Sequence, residues 1–237
     1  MPVLNHRRRL ALVLGAVLLV LAAVNVADKY GPHHTGLIAG PLVAALLVVI
    51  ARRAGLTWHD LGLSRRTLVP GLKYAVGAIL AVAAVYAVGA AIPLTRPAFQ
   101  DVRYHLHPGA ALLTAFIIVP LGTVLLEEIA FRGVLLGLVK RHRGATWASI
   151  TSSVLFGLWH ILPSLRLGQA NQAVGAVLGG GRWLPVLGAV AFTAVAGLLL
   201  CELRRRSGSL LAAAALHWAT NGLGLLVAAA LATTRFA

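Results

Sequence analysis

Of 237 residues, 59% are hydrophobic and only 11% charged, with a mean hydropathy of +0.86, which excludes an ordinary soluble domain and marks an integral membrane protein. The formal charge of +15 comes from short Lys and Arg clusters between apolar windows, so it speaks for membrane topology and anionic headgroups and not for a nucleic-acid-binding face. The single cysteine, Cys201, excludes an internal disulfide or a multi-thiolate metal site and reads as a small core residue.

Seven apolar windows follow in chain order, near Leu10 to Val26, Gly36 to Ala51, Leu68 to Leu94, Pro108 to Val139, Ala145 to Leu162, Trp183 to Leu203 and Ser209 to Leu231. The expected fold is an all-α polytopic helical bundle of seven or eight transmembrane helices. It forms a single integral membrane domain over 1–237. The first window, behind "NHRRR", carries the n-region of a signal peptide and a weak cleavage pattern at Ala27, but it is long enough to cross and reads as an uncleaved first span. Basic clusters at Arg7–Arg9, at Arg52, Arg53, Arg65 and Arg66, at Lys140–Arg143 and at Arg204–Arg206 fall on alternate connections. The positive-inside rule makes these cytoplasmic in a multi-pass cell-membrane protein whose N-terminus is inside, and seven spans put the C-terminus outside. Trp147 and Trp183 stand near span ends as interfacial anchors.

The fourth window is long, about 32 residues or roughly 48 Å of helix, and Pro120 predicts a kink. If it runs on to the "KRHR" cluster, Glu127 lies about 20 Å from that end, deep in the membrane. The stretch "LLEEIAFRG" places Glu127, Glu128 and Arg132 in this window. They include two of only six acidic residues in the chain. A charge at the centre of a spanning helix costs about 2.5–3.5 kcal/mol on insertion scales, so such groups have partners, a function or both. Arg132, four residues after Glu128, shares its helical face, and the two are expected to form a structural ion pair. Glu127 is rotated by about 100° and needs another neighbour.

Two other windows supply candidates. "FGLWH" places His160 one turn after Phe156, and "HWATN" places Asn221 one turn after His217. Each residue alone suits an interhelical hydrogen bond, and Phe156, Trp159 and Trp218 suit packing or a cavity wall. Together they offer a carboxylate, two imidazoles and a carboxamide: a base, a water-positioning group and oxyanion donors, the inventory for amide hydrolysis.

"EEIAFR", "FGLWH" and "HWATN" match Glu-Glu-x-x-x-Arg, Phe-x-x-x-His and His-x-x-x-Asn, in that order on three separate windows. In this the chain resembles the CPBP family, which comprises the CAAX proteases and the bacteriocin-processing intramembrane endopeptidases also called the Abi family. The resemblance runs from about Val124 to Asn221, and "GLTWHDLGLSRR" at Gly55 to Arg66 is similar to a connection common among bacterial members. It implies about eight membrane helices, with Gly168 to Trp183 as the place for a short or re-entrant eighth segment. It also implies Glu127 as general base activating a water with His160, His217 and Asn221 as oxyanion donors, and Glu128, Arg132 and Phe156 as structural support. The eukaryotic branch removes the last three residues of prenylated CAAX proteins. A bacterial member is expected to act on a membrane-associated secreted peptide, lipoprotein-like precursor or regulator within the lipid bilayer, with no nucleic acid.

A metal-free glutamate protease without cofactor is the favoured reading, and a zinc-dependent version held by Glu127, His160 and His217 is the alternative. Two other classes compete, a non-catalytic membrane immunity or scaffold protein of the same fold and a small transporter or proton relay. The four polar motif residues argue against the first, and the lack of repeated halves argues against the second. The chain has neither the His-Glu-x-x-His of site-two proteases nor the Gly-x-Ser-Gly of rhomboids.

Overall fold

The computed structural model describes residues 2–32, 35–178 and 181–233, almost all of them helical. Seven long helices follow in chain order. They are α1 (Pro2–Tyr30), α2 (Thr35–Arg53), α3 (Leu68–Ala91), α4 (108–143), α5 (145–159), α6 (Trp183–Ser207) and α7 (210–233). Among the described residues there is no strand, only an isolated bridge between Asp101 and Asn171.

Six continuous helical stretches are long and apolar enough to cross a membrane, and the longest of them is Pro108–Trp159. That stretch is itself a hairpin. Gly144 sits at φ 81, ψ 174, a conformation open essentially only to glycine, and there the chain turns back on itself. Ser152 Oγ then donates to the carbonyl of Phe131 (2.7 Å), and Trp159 reaches Glu127, the pairing of two antiparallel helices. Divided at Gly144, the six stretches become the seven segments expected. The stretch considered for a short or re-entrant segment, Gly168 to Trp183, holds the short helices Leu167–Ala170 and Gln172–Leu178, neither long enough to span.

The first window is a helix of the bundle, since Val17 and Leu21 of α1 belong to the main core. Outer faces carry exposed apolar side chains such as Leu19 (73%), Val69 (67%) and Phe192 (73%), as lipid-facing helices do. By contrast every residue of α4 from 126 to 139 is buried. This helix forms the axis of the bundle, so the carboxylates of "LLEEIAFRG" face protein and not lipid. Close approach makes this possible: a Cβ on Gly40 of α2 would lie 2.8 Å from the Leu121 carbonyl, and one on Gly122 would meet the Gly36 backbone at 3.4 Å. Small residues thus let α2 seat directly on α4. Pro120 acts by widening the helix. Over Thr114–Val124 the turns open to π type, with the Leu125 N–H donating to the Pro120 carbonyl five residues back.

The basic connections gather at one end. Arg141 Nη1 donates to the Gly55 carbonyl (2.7 Å), Arg204 Nη2 donates to the carbonyls of His59 and Asp60 (both 3.0 Å), and Leu210 N–H donates to Gly62 (2.8 Å). Asp60 there is held below its ordinary carboxylate range: burial raises it, but hydrogen bonds from Thr57 and the nearby Arg141 together outweigh that. The opposite end collects the connections around Asp101 and Asn171.

Candidate active site

α4, α5 and α7 bring the motif residues together. Glu128 and Arg132, one turn apart on α4, form the expected ion pair, with Arg132 Nη1 donating to Glu128 Oε1 at 3.0 Å. Both are essentially inaccessible, at 1% and 0% exposure. The Arg132 guanidinium also lies 3.9 Å from the centroid of the Phe156 ring, a cation–π contact that offsets part of its desolvation. Phe156 then stacks edge-on against His160 (4.6 Å), His217 (5.6 Å) and Phe131 (5.2 Å). It is the apolar hub between the two imidazoles.

Glu128 does more than its spacing suggests. The same Oε1 that takes Arg132 also accepts a hydrogen bond from His217 Nδ1 at 2.8 Å. A carboxylate can only accept, so Nδ1 of His217 carries the proton and its Nε2 is turned the other way. Nε2 stands 3.8 Å from Glu127 Oε2. His160 is fixed in the same manner, its Nδ1 donating to the Phe156 carbonyl at 2.8 Å, which leaves its Nε2 free to face a reactant.

Glu127 is buried at 5% exposure and points away from the Arg132 pair. Its Oε1 accepts from Trp159 Nε1 at 3.0 Å, while Oε2 has no hydrogen-bond partner. Trp159 is positioned in turn by Asn25 of α1, whose Nδ2 donates to the Trp159 carbonyl at 2.8 Å. Neither Trp159 nor Asn25 was singled out by the sequence as a partner of the carboxylate. An indole next to the motif histidine is the signal that was available, and only the α4–α5 hairpin register shows which group it serves. Trp218, by contrast, packs away from the site, donating to the Ala115 carbonyl at 2.8 Å.

Glu127, His160 and Asn221 line one cavity of about 300 Å³, together with Trp159, Asn25 and Asp28 among others. Glu128 and Arg132 lie behind its wall. The α7 helix widens to π-type turns over Ala219–Leu223, which places Asn221 on the cavity while His217 stays buried against the two carboxylates. Tyr104, just before α4, also lines the cavity; burial pushes its phenol above the ordinary value, against an opposing effect of Arg103, so it is a neutral donor. The cavity walls at Asn25, Asp28, Tyr104 and Pro163 belong to the end of the bundle opposite the basic connections.

Among the described residues no group of three or more His, Cys, Asp or Glu side chains is placed to hold a metal ion.

Residues 109–223 match the family of type II CAAX prenyl endopeptidases described as Rce1-like. Over this span the chain belongs to that family. The matched span contains all three motifs and the whole α4–α5 hairpin, and extends somewhat beyond the stretch in which the motifs themselves were legible. No curated protein and no solved structure matches the chain. The chain is thus a multi-pass membrane protein of an intramembrane protease family, with the motif side chains of three helices converging in the centre of its bundle.

Proposed function

We propose that this protein is an intramembrane endopeptidase that hydrolyses a peptide bond of a membrane-associated substrate with a water activated by Glu127 and His160. The observation that carries this reading is the asymmetry of the two glutamates: Glu128 is enclosed between Arg132 and His217, which both bond its Oε1, whereas Glu127 lines the cavity with its Oε1 held by Trp159. Glu127 takes a proton from water, and the hydroxide adds to the carbonyl carbon. The resulting oxyanion accepts hydrogen bonds from Asn221 Nδ2 and from His217, and the C–N bond then breaks as the proton passes to the leaving amine. In its doubly protonated form His217 donates Nδ1–H to Glu128 and offers Nε2–H to the oxyanion. That form also makes the buried set of Glu127, Glu128, Arg132 and His217 electrically neutral.

No metal step is invoked, and a chelator test separates this reading from the zinc-dependent alternative. In this reading the protein sits in the cell membrane with the N-terminus in the cytoplasm, which the positive-inside rule and the basic end support. The catalytic cavity then faces the opposite, extracytoplasmic side, so the substrate is a peptide or protein segment presented from outside. The test is a comparison of membrane peptides from a strain lacking the protein and a strain carrying Glu127→Gln. The same uncut precursors accumulating in both supports the proposal. A Glu127→Gln strain indistinguishable from the unaltered strain overturns it, and an immunity phenotype that survives the substitution assigns a scaffold role instead.

A further inference from the structure

A second concavity, of about 310 Å³, lies at the same end of the bundle as the catalytic cavity. Its lining includes Lys29, Arg166 and Arg182 but no acidic residue. The three cations come from the end of α1, the turn after α5 and the start of α6, so the fold and not a basic run in the sequence brings them together. No carboxylate among the described residues pairs with them. Another basic residue of that end, Arg103, is by contrast bonded to Asp101 through both Nε and Nη2 (2.9 and 2.7 Å). Three like charges in one concavity repel one another unless an anion joins them. Two guanidinium forks and an ammonium, with the Tyr30 hydroxyl and the Gln169 amide beside them, are donors suited to a carboxylate.

The two cavities adjoin. Asp28 and Pro163 line the catalytic one, and their near neighbours Lys29 and Leu165 line the cationic one. We infer that the Lys29–Arg166–Arg182 concavity is a substrate subsite that binds a carboxylate of the peptide close in sequence to the bond hydrolysed. The inference rests on the endopeptidase reading for the identity of the ligand. A lipid phosphate would suit the same charges, but a position bordering the catalytic cavity favours the peptide.

The probe is an octapeptide library in which every sequence occurs with Glu and with Gln at one position, scanned over all positions. Full-length Glu127→Gln protein in nanodiscs of neutral lipid selects from it, with mass spectrometry counting what is retained. At one or a few positions the Glu member should be enriched about tenfold, the scale of one or two partly exposed charge pairs. The enrichment should fall with added salt. The triple variant Lys29→Gln/Arg166→Gln/Arg182→Gln should return the ratio to one. A ratio of one at every position, or an enrichment that survives the triple variant, overturns the subsite. So does loss of phosphatidylglycerol binding in the triple variant with no change in peptide selection, which assigns the concavity to a lipid headgroup. Selective binding without any cleavage by the parent chain would leave the subsite standing and remove the protease reading; cleavage without selectivity would do the reverse.

Discussion

Trp159→Phe removes a hydrogen bond at the centre of the site while keeping an aromatic side chain there. An aromatic ring remains beside Phe131, whose ring centroid lies 5.9 Å from that of Trp159, but the part of the indole whose N–H holds Glu127 Oε1 at 3.0 Å is lost. Because Oε2 has no partner, the variant leaves the base with no hydrogen bond on either oxygen and lets the carboxylate turn about its last, soft torsion. A hydrogen bond to a charged group contributes about 1.5–3 kcal/mol. If the whole of it serves to orient the base in the transition state, kcat falls by roughly 10- to 150-fold at about 1.4 kcal/mol per tenfold, with KM little changed because no group that binds the peptide is altered. The assay is steady-state cleavage of the best quenched-fluorescence peptide by purified protein, with membrane accumulation measured alongside. A kcat within about twofold of the parent at normal accumulation would show that Trp159 does not position the base.

Arg132→Met leaves Glu128 buried and short of its cation, which should lower stability by about 3–5 kcal/mol; thermal unfolding in detergent measures it. The double variant Glu128→Gln/Arg132→Met should recover much of that loss but not the activity, since the Gln oxygen can still accept from His217 Nδ1 but no longer supplies the negative charge that favours doubly protonated His217. Gly144→Ala meets no atom within 4 Å, yet it forces a Cβ into a backbone region costing about 1–3 kcal/mol. Unfolding should therefore come earlier than for the control Gly15→Ala, which is also free of contacts. His160→Ala should be as inactive as loss of the base at normal accumulation, because the attacking water loses its orientation. A membrane-permeant chelator should leave cleavage by the purified protein unchanged, and inhibition reversed by zinc would restore the metal-dependent alternative.

Much of the architecture was legible because it depends on hydrophobic windows and charge clusters. The seven segments, the Glu128–Arg132 pair and the gathering of the basic connections at one end all follow from spacing and from the energetics of charge in an apolar medium. Residues at i and i+4 meet whatever the tertiary fold, so the pair needed no structure to be seen. The extra bond from His217 to Glu128 was not legible, because 89 residues separate the two and their meeting depends on how α7 is rotated against α4. Trp159 was hidden for a similar reason: the turn at Gly144 fixes the register of α5 on α4, and one residue's shift would aim a different side chain at Glu127. The stretch suggested by resemblance for a short or re-entrant segment, Gly168 to Trp183, holds short helices, as its Gly-rich sequence allows. Cys201 packs as expected in the core, with its sulfur 3.8 Å from Ser153 Oγ.

The central claim is that Glu127 opens on the cavity as the base while Glu128 is held behind the wall. The direct measurement is the single-turnover cleavage rate of purified Glu127→Gln protein on the best peptide substrate, at matched folding and membrane insertion. A general base contributes about 10²- to 10⁴-fold, so the rate should fall by at least two orders of magnitude with substrate binding retained. An unchanged rate would contradict the account.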